Sequence, residues 1–171
     1  MVDQEAGHAG AVQHLWYGHQ NAPNSSDYEH PWKAIKAVAA CDGQLSDAER
    51  LYLVGKMTSI ATPPDVVKKV LAFDEGSSAV GALLDGIQVP PDYRPGVGTW
   101  VVYEALSVAM ADGELAEGET EAVRAAAEKM GVSADAVDAL TYQVRQESSL
   151  RQRRIELLNS TIPGEFRFEH D

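Results

Sequence analysis

A single cysteine, Cys41, stands among the 171 residues, which excludes an internal disulfide and every paired-cysteine metal motif. Basic residues are scarce as well. Fourteen Lys and Arg against 26 Asp and Glu leave a formal net charge of −12 and a pI near 4.7. A field of that sign repels phosphate backbones, so no nucleic-acid partner is expected; it favours cations, basic partners or plain solubility. No apolar run is long enough to span a bilayer. The N-terminus lacks the basic and apolar regions of a secretory signal, and a soluble, cytoplasmic protein is the expectation. Strand-like alternation of apolar and polar residues is missing too. Gly76-Ser77-Ser78 and Gly96-Val97-Gly98 follow no strand and carry no lysine, so neither reads as a phosphate loop. Cys41 has no histidine at helical spacing and is expected to be a small buried hydrophobe rather than a nucleophile.

What the chain does contain is helical periodicity. At 171 residues it suits one domain with its own core. Residues 1–30 read as a polar arm holding His8, His14, His19 and His30, with Leu15-Trp16-Tyr17 as its apolar segment. Residues 31–162 read as the helical domain and residues 163–171 as a tail. Pro31 suits a first helical position, and Trp32, Ile35, Val38 and Ala39 share a face behind it. Ser46 with Glu49 forms a capping-box pattern before Leu51, Val54, Met57 and Ile60. Pro63-Pro64-Asp65 opens a third helix, and Val80, Leu83 and Leu84 form a short fourth.

Prolines and glycines make residues 89–98 a loop. A long helix from Trp100 to Met110 follows, apolar on most faces and therefore expected at the centre. After it come a helix ended by Gly131, a helix capped by Ser133, and a separate amphipathic segment carrying Leu150, Ile155, Leu157 and Leu158. The basic cluster Arg145, Arg151, Arg153 and Arg154 is expected to pair with Glu147 and Glu156 and to face solvent, with a docking patch as the alternative. The fold class is all-α: a compact bundle of about seven or eight helices.

Two segments resemble one another. Ala40-Cys41-Asp42-Gly43-Gln44-Leu45-Ser46-Asp47-Ala48-Glu49 aligns with Met110-Ala111-Asp112-Gly113-Glu114-Leu115-Ala116-Glu117-Gly118-Glu119. Asp, Gly, Leu and Glu recur at a constant offset of 70 (112 − 42 and 119 − 49), and each copy joins two helices. The pattern reads as an internal duplication of a helical hairpin. Architecture alone can explain it: glycine closes a helix, the leucine drops into the core, and the glutamate sits where backbone N–H groups favour an anion. Asp-Gly-x-Leu-x-x-x-Glu also matches the second half of an EF-hand loop. The positions for that loop's first two ligands hold Val38 and Ala40 in one copy, Val108 and Met110 in the other, which excludes a standard EF-hand.

These units, and the run from Ala111 through Ser133, resemble the TerB-like superfamily, which includes tellurite-resistance TerB proteins and the N-terminal domain of DjlA-type co-chaperones. The resemblance covers roughly residues 31–145 and is best in the second copy. It implies two pseudo-symmetric helical hairpins facing each other, with converging acidic residues that bind a divalent metal. Carried over, the metal candidates are Asp42, Glu49, Asp112 and Glu119, with calcium the favoured ion. The implied role is a non-enzymatic stress-response or envelope-associated adaptor with a protein partner. The alternative is a small helical enzyme that uses the same acidic cluster for a catalytic metal or for acid/base chemistry.

Overall fold

The structure, a computed structural model, describes residues 28–41, 45–74, 80–87 and 94–161. Seven α-helices and no strand occur among the described residues. They are α1 (Glu29–Ala39), α2 (Asp47–Ser59), α3 (Pro64–Ala72), α4 (Val80–Asp85), α5 (Arg94–Ala109), α6 (Glu117–Lys129) and α7 (Ala134–Thr161). A single 3₁₀ turn, Met110–Asp112, follows α5. None of these helices is long and apolar enough to cross a membrane.

The inner pair is α1 against α5, with α3, α4 and α6 packed around α1 and with α2, α6 and α7 against α5. Trp32, Ile35 and Val38 of α1 are fully buried, as are Val101, Leu106 and Val108 of α5 and Leu53 and Met57 of α2. Each such side chain contributes roughly 1.5–3 kcal/mol on leaving water. Trp32 meets Trp100 edge to face, with centroids 5.4 Å apart at 78°, a favoured aromatic geometry.

Local signals place the helix ends. Ser46 caps α2 in a full capping box: its hydroxyl accepts from Glu49 N at 3.3 Å, and Ser46 N donates to Glu49 Oε2 at 2.6 Å. Gly113 and Gly131 adopt φ of +100° and +74° after the 3₁₀ turn and α6, the left-handed conformation that glycine adopts most cheaply.

Several expectations need correction. α1 begins at Glu29, so Pro31 lies within the first turn rather than at its first position. α5 begins at Arg94, inside the expected loop, because a first-turn proline forfeits no helical hydrogen bond. Gly98 lets that helix press on α6 and the turn after it; an added Cβ would lie 2.9 Å from both Met130 Cβ and Val132 Cγ2. The expected break between Val144 and Leu150 does not exist, and α7 runs unbroken for 28 residues. Its polar stretch Gln146–Ser149 is compatible with helix and needs no interruption. Cys41 is half-buried rather than buried.

The arginines of α7 also depart from expectation. Among the described residues none of Arg145, Arg151, Arg153 and Arg154 pairs with a carboxylate. Glu147 instead accepts from Tyr103 and Gln143, and Glu156 from Gln152.

Inside the bundle, α5 carries Glu104 at 0% side-chain exposure, and its Oε1 lies 3.4 Å from Lys56 Nζ on α2, itself 6% exposed. A charge so deep is tolerable only when paired.

Candidate functional site

The turn after α5 and the entry to α2 meet at one acidic recess of about 300 Å³. Its lining includes Leu45, Ser46 and Glu49 from the first motif and Asp112, Glu114 and Glu119 from the second. Glu49 and Glu119 are both buried. Each is fixed by the same local bond: Ser46 N donates to Glu49 Oε2 at 2.6 Å, and Ala116 N donates to Glu119 Oε2 at 2.8 Å. Both carboxylates sit at the start of a helix, α2 or α6, where the helix dipole and unsatisfied N–H groups stabilise the anion. Ala116 offers no side-chain oxygen, so α6 keeps only the glutamate half of the capping box. Asp112 is exposed, and its Oδ1 accepts from Glu114 N at 3.0 Å.

The donor chemistry is all carboxylate, which suits a hard cation. The ligand set is not closed, however. Among the described residues no three His, Cys, Asp or Glu side chains gather as a metal-binding group. One oxygen each of Glu49, Asp112 and Glu119 already serves a backbone N–H.

The bundle has a counterpart among solved structures. The crystal structure of a tellurite resistance protein from Nostoc punctiforme matches it with a TM-score of 0.76, covering 96% of this chain and 99% of that chain at 24% identity. This chain has the TerB-like fold. No family model matches the sequence, and no curated protein matches it.

Three of the four carried-over metal candidates, Glu49, Asp112 and Glu119, thus line one recess of this TerB-like bundle. Asp42 lies outside the described residues, as do His8, His14, His19 and the Trp16-Tyr17 pair. His30 is exposed in the first turn of α1. Glu114 was not among the candidates, yet it lines the recess beside Asp112. Its position two residues beyond the aspartate, in the one connection with an extra acid, was the available signal.

Proposed function

We propose that this TerB-like chain is a non-enzymatic stress-response or envelope-associated adaptor, in the line of resistance for which its structural neighbour is named, and that its acidic recess takes a divalent cation. The supporting observation is that carboxylates from two motifs 70 residues apart in sequence face a common recess. Two like-charged clusters brought together repel one another, and a divalent cation between them relieves that repulsion.

The carboxylates would bind through oxygens not engaged in capping, since each ionised group accepts several bonds. Glu49 and Glu119, held by Ser46 N and Ala116 N, would be the fixed ligands. Asp112 and Glu114 would be the adjustable ones, being exposed. Such an incomplete, water-accessible set predicts a dissociation constant on the order of 10⁻⁴–10⁻³ M, the range of weak oxygen-ligand sites. Protein partners would then recognise the recess with its charge changed.

Calorimetric titration of chelator-treated protein with calcium, magnesium, manganese and zinc tests this reading. Saturable binding that is lost in Asp42→Asn/Asp112→Asn supports it. If none of the four ions binds, the acidic motif is helix-capping architecture and the cation role is abandoned.

A further inference from the structure

A recess of about 480 Å³ lies between α2, α5 and α7 and is separate from the carboxylates of the acidic site. Tyr52 and Gly55 of α2, Tyr103 and Met110 at its floor, and Arg151 and Arg154 of α7 define it. Its volume falls within the range of small-molecule sites, which combine apolar walls with a few convergent polar groups.

The charges on its walls are unequally satisfied. Glu147 accepts from Tyr103 Oη at 2.6 Å and from Gln143 Nε2 at 2.8 Å, and Lys56 is paired with Glu104, which lies beneath the recess lining in the core. Arg151 and Arg154, three residues apart on one face of α7, have no carboxylate partner among the described residues. In a chain with 26 acidic residues, a recess lined, among the described residues, by Lys56, Arg151 and Arg154 against the single carboxylate of Glu147 is a local inversion of the overall charge. Arg151 is held in place, with its guanidinium 4.8 Å from the centre of the Tyr52 ring and one N–H donating to Ala111 O at 3.3 Å.

Gly55 supplies an independent observation. A glycine inside a helix costs roughly 1 kcal/mol relative to alanine. Here no close packing requires it: an added Cβ would meet nothing within 4 Å, and its φ is not positive. Neither packing nor backbone geometry requires a glycine at this position of α2, and its open side faces the recess.

We infer that this recess binds a small amphipathic organic anion, a carboxylate on an aliphatic or aromatic body, with the body against Tyr52, Gly55 and Met110 and the carboxylate on Arg151 and Arg154. Planar guanidinium groups match a carboxylate in shape as well as charge. The overall negative field of the protein works against any anion, so the apolar body is needed for affinity.

Decanoate and 1-naphthylacetate, titrated calorimetrically into the full chain in chelator-containing buffer, test the inference independently of any cation. One molecule of at least one of them should bind per chain. Decan-1-ol, which lacks the charge, and acetate, which lacks the body, should bind about tenfold more weakly or worse. Arg154→Gln, at an exposed side chain with no carboxylate partner among the described residues, should weaken carboxylate binding by a similar factor and leave the decanol signal unchanged. Gly55→Leu should raise the melting temperature while abolishing binding, because it improves helix propensity and fills the recess. Undiminished binding in a folded Gly55→Leu variant would overturn the proposal. So would equal affinity for decanoate and decanol, or the absence of saturable binding by both carboxylates.

Discussion

Replacing Lys56 by Met should destabilise the protein as much as a large core truncation, although it exchanges a charged side chain for an apolar one of similar length. Lys56 Nζ lies 3.4 Å from Glu104 Oε1, and the two side chains are 6% and 0% exposed. Removing the ammonium takes the Lys56 charge away from a carboxylate at the centre of the bundle. Breaking a buried pair in this way costs about 3–5 kcal/mol, whereas replacing both partners by well-packed apolar groups is often neutral or stabilising. For a chain of this size each kcal/mol moves the melting temperature by about 2–4 °C, so Lys56→Met should lower it by about 6–20 °C. The double variant Lys56→Met/Glu104→Leu should recover most of that loss. Urea denaturation of the wild type, both single variants and the double variant closes the cycle. If Lys56→Met costs less than about 1 kcal/mol, or the double variant loses the sum of the singles, the ion pair is not what makes Glu104 tolerable.

Three further outcomes follow from local geometry. Ala61, just beyond α2, has φ of +59°, so Ala61→Gly should stabilise by about 0.5–1 kcal/mol after the entropy of glycine is set against the relieved strain; a lower denaturation midpoint would contradict this. Gly98→Ala should cost about 1–3 kcal/mol through overpacking against Met130 and Val132, despite alanine's better helix propensity; an unchanged midpoint would mean that α6 shifts freely. Burial first, and then the hydrogen bond to Glu147, push the Tyr103 hydroxyl's pKa above its ordinary value, and burial does the same for Tyr52. Their contribution to stability is therefore full below the unfolded tyrosine value near pH 10 and is lost as the pH rises above it. Alkaline denaturation should be less steep in Tyr103→Phe, and an identical pH profile would count against the buried hydroxyl.

Much of the bundle is legible in the sequence because its signals are local. The capping box at Ser46 and Glu49, the left-handed glycines 113 and 131, and the Trp32-Ile35-Val38 face of α1 each depend on neighbours within a turn or two. The unbroken course of α7 is less legible. A lapse in apolar periodicity between Val144 and Leu150 reads as a break, but an exposed stretch of helix needs no continuous apolar stripe, and Leu150, Leu157 and Leu158 are exposed. The start of α5 at Arg94 is obscured by glycines and a proline that suggest a loop, although a first turn accepts proline.

The Lys56–Glu104 pair is least visible of all. Its partners are distant in sequence, and the trace it leaves is one carboxylate in an otherwise apolar helix. For the acidic recess, the motif names Glu49, Asp112 and Glu119; Glu114 stands in the sequence as the extra acid of the second connection, and its place in the lining follows from the 3₁₀ turn that brings that connection beside Glu49.

The most direct test of the cation reading is a calcium titration of the isotopically labelled full chain, followed by backbone amide NMR. One shared site predicts that the amides of residues 45–49 and 112–119 shift together along a single binding isotherm, with the rest of the bundle unmoved. Shifts confined to one of the two segments, or no saturable shift in either, would contradict a site built from both motifs.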